Sequence, residues 1–283
     1  MCRPGRTHGS APTKPCMSNL LKAAVLGVLQ GLTEFLPVSS TAHLLIGSRL
    51  IGFSDPGGVF TVMIQLGSIF AVMWLYREKI LSVIAGLPSS PEARRFAFMI
   101  GLATVPALAA GFFFSKFVKS VLYGSFVVIA LAFIIGGIIM LIVERFRPAP
   151  DVMDVDSLPV GRALAIGSFQ ALALIPGVSR SGGTIVAAMA MRVDRAAAAE
   201  FTFFLAMPTM SAAFAHDLLE VRHDLGSARG AEIAVGFVMA FLASALVVKP
   251  FLQYVRRSGF APFAWYRIAL GLALLAAVAA GWM

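Results

Sequence analysis

Charge is what this 283-residue sequence has least of: 13% of its residues are Asp, Glu, Lys or Arg, 59% are hydrophobic, and mean hydropathy is +0.86. So little polar surface excludes a soluble globule of this size and makes the chain a polytopic membrane protein. Also missing is any alternating ten-residue pattern. That excludes an outer-membrane barrel and leaves helices, the other fold that satisfies its backbone within lipid. Cysteine is confined to Cys2 and Cys16, ahead of the first apolar stretch and without metal or redox spacing. The opening residues, MCRPGRTHGSAPTKPC, lack the apolar core of a signal peptide. Residues 1–19 are therefore read as a disordered tail, with Met17 a candidate start. The 23 Lys and Arg outnumber 14 Asp and Glu, for a net charge of +9. In a membrane chain that surplus points to loops facing anionic lipid and not to nucleic acid.

Against this scarcity, polar groups inside apolar stretches stand out. Residues 20–36 have a helical pattern yet carry Lys22, Gln30 and Glu34, and stop at Pro37. The next apolar piece, residues 44–52, gives about 13 Å of helix, too short for a hydrocarbon core about 30 Å thick. Two short helices around a polar break read as a re-entrant hairpin. Full spans are expected at 60–76, 96–115 and 120–143. A second interrupted segment covers 160–191, and further spans are expected at 201–215, 233–248 and 260–282.

The halves 20–147 and 160–283, around a linker at 148–159, thus repeat one order. LPVSST in the first echoes IPGVSRS in the second. Three spans per half is an odd number, which turns the second half upside down. The expected fold is an all-α polytopic membrane protein with an inverted-topology repeat, each half one re-entrant helical hairpin plus three transmembrane helices. Such repeats place their site between the two breaks, near the midplane. On this topology twelve Lys and Arg, from Arg77 to Arg257, fall on the side away from the first hairpin mouth, against five from Arg49 to Arg229 on the near side, besides Lys22 and the tail. The positive-inside rule makes the richer side cytoplasmic, so the site opens outward.

Gln30 and Glu34, four apart, project from one helix face and offer the oxygen ligands that Mg²⁺ or Ca²⁺ prefers. The bland alternative is an ion pair that holds the bundle together. Ser39, Ser40 and Thr41 follow Pro37, and His43 lies three past Ser40 on the same face, a geometry for nucleophile and base or for phosphate binding. Taken alone, PVSS is also an ordinary helix start. In the second half Ser179, Arg180, Ser181, Gly182, Gly183 and Thr184 form an expected anion cradle, with Arg180 suited to bidentate phosphate contacts. Gly27 and Gly31 have the spacing of a close helix contact. His216 and His223, near a span end, read as interfacial.

At these motifs the chain resembles the undecaprenyl-diphosphate phosphatase family, also called the BacA or bacitracin-resistance family. The likeness is carried by the Gln30-to-Glu34 element, PVSSTAH at 37–43 and PGVSRSGGT at 176–184. It implies an enzyme of the bacterial cytoplasmic membrane that removes the terminal phosphate of a C55 lipid diphosphate, recycling the carrier for peptidoglycan synthesis. It also implies divalent-metal dependence, with Glu34, Ser40, His43 and Arg180 at the family's essential positions. Ser39, Ser179, Ser181 and Thr184 match its supporting hydroxyls, and Thr41 and Gly182 complete the expected substrate contacts. Gln30 departs from a common Glu and cannot act as a base. The rival expectation is a transporter or flippase of polyprenyl phosphates, since broken inverted repeats also serve transport. Oligomeric state is left open, a dimer included.

Overall fold

Ser18 caps the first helix by accepting from the Leu21 N–H at 3.3 Å. The chain then runs as α1 (Asn19–Thr33), α2 (Ser40–Ile51), α3 (Val59–Leu75), α4 (Arg77–Gly86), α5 (Pro91–Val121) and α6 (Phe126–Phe146). It continues as α7 (Val160–Phe169), α8 (Arg180–Ala190), α9 (Arg195–Val221), α10 (Gly230–Ser258) and α11 (Ala261–Ala279). This computed structural model describes residues 17–122, 125–221 and 229–282. Residues 1–16, with both cysteines, and His223 lie outside them.

Both interrupted segments break where the sequence expects. α1 and α2 flank residues 34–39, while α7 passes through a 3₁₀ stretch (Gln170–Leu174) and an irregular turn before α8. Five helices, α5, α6, α9, α10 and α11, are long and apolar enough to cross a membrane. The remaining expected span, 60–76, is α3, which turns by 71° at Tyr76 into α4. α4 was not foreseen: REKILSVIAG carries its charges at one end and buries no residue. The span expected at 120–143 begins instead at Phe126, where Ser125 accepts from the Val128 N–H, because α5 continues to Val121.

Some helix pairs recur between the two halves. α1 packs on α10 as α7 packs on α5, α3 on α10 as α9 on α5, and the corresponding pairs α3/α9 and α6/α11 pack on each other. Other pairs have no such counterpart among the described residues: α8 packs on α6 and α9 without comparable packing of α2 on α11 and α3. Close approach is built the same way twice: a Cβ on Gly27 of α1 would meet the Gly236 carbonyl of α10, and one on Gly167 of α7 would meet the Ala103 carbonyl of α5. Only glycine lets backbones come so near. The largest core cluster lies across the halves, where Phe35 meets Phe203 edge to face at 5.3 Å.

The expected linker is tied down. Asp151 receives two hydrogen bonds from Arg162, at 2.5 and 3.0 Å. Lys79 reaches Asp156 at 2.5 Å, Arg95 donates to the Asp156 and Leu158 carbonyls, and Val152 forms a β-bridge with Val193. Four of the twelve basic residues of one predicted side, Lys79, Arg95, Arg162 and Arg192, therefore meet this loop.

Candidate active site

The first break delivers Glu34 at the end of α1 and Ser40 at the start of α2. The intervening Pro37 cannot continue a helix. Ser39 takes φ +67° and ψ +88°. A left-handed backbone costs a residue with a Cβ roughly 1–2 kcal/mol, so the surroundings must hold it. The Ser39 carbonyl accepts from both the His43 N–H at 3.2 Å and the His43 Nδ1 at 2.8 Å. The second break delivers Arg180 at the first turn of α8. There Ser179 is the N-cap, accepting from the Gly182 N–H at 3.0 Å.

The two breaks meet. Glu34 Oε1 is paired with Arg180 Nη2, while Glu34 Oε2 accepts from Ser40 Oγ at 2.5 Å and from Gln30 Nε2 at 2.6 Å. Glu34, Gln30 and Ser40 are all buried. An ion pair in such surroundings costs roughly 3–5 kcal/mol to break by removing one partner, since the other charge is stranded. In front lies a cavity of about 510 Å³, lined by Glu34, Ser39, Ser40, Thr41, Ser179 and Arg180 on its polar wall. Ala107, Leu108, Phe112, Leu174 and Ala213 are among its apolar lining. A polar pole beside an apolar wall suits an amphiphile with an anionic head.

Several expected placements differ. The imidazole of His43 does not reach Ser40: Nδ1 is on the Ser39 carbonyl and Nε2 on the Tyr266 hydroxyl at 2.7 Å. The hydroxyl of Ser40 turns to Glu34 because the left-handed Ser39 swings it toward the end of α1. The anion cradle is also thinner than expected. Ser181 donates to the Leu36 carbonyl at 2.8 Å, Thr184 bonds to the Arg180 carbonyl at 2.9 Å, and the Gly182 N–H is used by the cap. Only Ser179 and Arg180 of that stretch face the cavity. α8 is a regular helix, so its hydroxyls fall on its buried side.

Sequence reasoning missed four groups on the wall, Gln65, Gln170, Thr209 and His216, and two behind it, Tyr266 and Arg267. His216 is exposed, as its interfacial reading requires, yet lines the cavity. Arg267, 2% exposed, donates to the carbonyls of Pro37, Gly177 and Ala132 at 3.2, 3.1 and 3.0 Å. A lone arginine within the last apolar stretch was the available signal.

Among the described residues no group of three His, Cys, Asp or Glu side chains forms a metal cage. The donors around Glu34 are nonetheless hard oxygens: the carboxylate, the Ser40 hydroxyl and Gln30 Oε1, which is buried without a hydrogen-bond partner. That set fits Mg²⁺, which is commonly held by one or two carboxylates with substrate phosphates completing the shell, and is compatible with Ca²⁺.

Residues 23–273 match the family described as bacitracin resistance protein BacA. A Cereibacter sphaeroides protein named undecaprenyl-diphosphatase is 50% identical over 264 residues, covering 93% of this chain and 98% of its own. The undecaprenyl-diphosphatase of Paracoccus denitrificans is 46% identical over 93% of this chain and 99% of its own, and undecaprenyl-diphosphatase 1 of Agrobacterium fabrum 47% identical over 93% and 98%. With both breaks inside the matched region, this chain belongs to the BacA bacitracin-resistance family.

Proposed function

We propose that the protein dephosphorylates undecaprenyl diphosphate to undecaprenyl phosphate, with Ser40 as nucleophile and Glu34 as its base. The observation that carries this reading is the contact of Ser40 Oγ with Glu34 Oε2, on a carboxylate whose other oxygen is paired with Arg180. An entering diphosphate competes for the guanidinium, which binds phosphate oxygens in a bidentate fork. As Arg180 turns to the substrate, Glu34 is free to take the hydroxyl proton. Ser40 Oγ then forms a bond to the terminal phosphorus, the anhydride P–O bond breaks, and undecaprenyl phosphate departs with the electron pair and takes the proton held by Glu34. Water, giving a proton to Glu34, next attacks the phosphoserine, the bond from phosphorus to Ser40 Oγ breaks, inorganic phosphate leaves, and Glu34 returns the proton to Ser40 Oγ.

Arg180 and Ser179 hold the phosphate oxygens, and Ser39 and Thr41 line the same wall. Glu34 and Gln30 would hold the divalent cation, Mg²⁺ or Ca²⁺, which neutralises charge on the phosphates when bound. The apolar wall takes the first isoprene units. We place the protein in the bacterial cytoplasmic membrane with the cavity opening to the external side. The basic residues gathered around the linker support that orientation.

Purified protein in detergent, given undecaprenyl diphosphate with Mg²⁺ or Ca²⁺, is expected to release phosphate and to stop on chelation. Acid quench is expected to trap phosphate on Ser40. Absence of phosphate release would overturn the enzyme reading in favour of lipid transport, and label on any other residue would overturn the serine nucleophile.

A further inference from the structure

The imidazole of His43 is fully occupied by groups that are not substrate. A carbonyl oxygen only accepts, so Nδ1 carries a hydrogen and donates it to Ser39. In the neutral ring Nε2 then accepts from the Tyr266 hydroxyl; in the charged ring it donates to the same oxygen. In either state neither nitrogen is free for Ser40. The ring lies 5.7 Å from that of Tyr266 with only 11° between their planes, and Phe133 closes it edge-on at 5.8 Å. It cannot swing to the cavity without breaking both contacts.

We infer that His43 and Tyr266 are positioning residues: Tyr266, on α11, fixes the imidazole, and the imidazole holds the Ser39 carbonyl so that Ser40 stays aimed at Glu34. The leverage is the left-handed backbone of Ser39, which has a Cβ and would relax toward ordinary conformations if its carbonyl were released. Relaxation at Ser39 turns the first residue of α2, and with it the Ser40 hydroxyl. This inference rests on the reading of Ser40 as nucleophile.

The test is a series at one position. In His43→Asn the amide nitrogen stands where Nδ1 stood and can still donate to Ser39; in His43→Gln it stands where Nε2 stood and cannot. A positioning role therefore predicts that His43→Asn keeps kcat within about ten-fold of wild type. It predicts that His43→Gln and His43→Ala each fall by about a hundred-fold, the scale of a small misplacement of a reacting group. KM is expected to change little. Tyr266→Phe is expected to lower kcat by about five-fold, the worth of one net hydrogen bond.

The pH–rate profile of His43→Asn is expected to keep the wild-type shape, whereas loss of a general base removes a limb. His43→Asn as inactive as His43→Ala, or a lost limb, overturns the inference, as does Tyr266→Phe with wild-type kcat. Nitrogen-15 NMR of histidine-labelled wild-type protein reads the same contact without turnover: hydrogen on Nδ1 is expected, and a ring carrying it on Nε2 alone overturns the inference even if every variant misfolds. Failure of the enzyme reading is distinct, since wild-type protein would then release no phosphate.

Discussion

Ser181 donates its hydroxyl to the main-chain oxygen of Leu36 at 2.8 Å, so the second break is fastened to the first by a group that never meets the cavity. Ser181→Ala removes this tie and leaves the Leu36 carbonyl with the Val38 N–H alone. Thermal unfolding in detergent is expected to show a loss of about 0.5–1.5 kcal/mol. Turnover should fall through kcat, with KM close to wild type; a change in KM alone would contradict this placement.

Glu34 and Arg180 are expected to differ in signature. Glu34→Gln removes the proposed base and strands the Arg180 charge, and kcat is expected to fall by roughly 10²–10⁴. Arg180→Lys keeps the charge but loses the planar fork, so it is expected to raise KM as well as lower kcat. Steady-state kinetics on a soluble short-chain prenyl diphosphate separate the two. Equal effects on KM from both variants would refute the division of roles.

Arg267 reaches the Pro37 and Gly177 carbonyls, one in each break, and the Ala132 carbonyl of α6. Arg267→Leu leaves the buried Pro37 and Gly177 carbonyls without this donor and is expected to cost at least about 2 kcal/mol. Arg267→Lys should recover part of this. An unchanged unfolding midpoint for Arg267→Leu would show that the breaks are held together by other contacts.

The linker responds to acid. A hydrogen bond from Arg162, and then the charges of Arg162 and Arg192, hold the Asp151 carboxyl below its usual range. A carboxyl so lowered contributes stability that is complete above its unfolded value, about pH 4, and is lost as acidification passes its folded value. Amide protection at Asp151 and Asp194, which bond to the Arg192 and Val152 carbonyls, is expected to drop below about pH 4. Asp151→Asn is expected to show the same loss at neutral pH. Protection that does not change in either case would exclude the latch.

The sequence carried the breaks clearly, because Pro37 and Pro176 interrupt apolar runs and hydroxyls cluster beside them. It carried the meeting of Glu34 with Arg180 only as an expectation from the repeat, since 146 residues separate them. What it hid follows from helix phase. Ser40 and His43 share a helix face on paper, but the sign of one backbone angle at Ser39 decides which of them meets Glu34. The bury-inward direction of Ser181 and Thr184 depends on which face of α8 meets α9, a matter of tertiary packing. α4 escaped notice because it buries no residue and so has no core-facing apolar stripe to read. Tyr266 and Arg267 were overlooked inside a stretch read for length alone.

α11 follows both breaks in the chain, and it brings Tyr266 and Arg267, which brace His43 and both breaks. A nascent chain lacking it already holds Glu34, Ser40 and Arg180, yet its two hairpins lack their common strut. The order of synthesis therefore supplies these contacts after Glu34, Ser40 and Arg180, so a product cut before α11 would hold those residues without the braces from Tyr266 and Arg267.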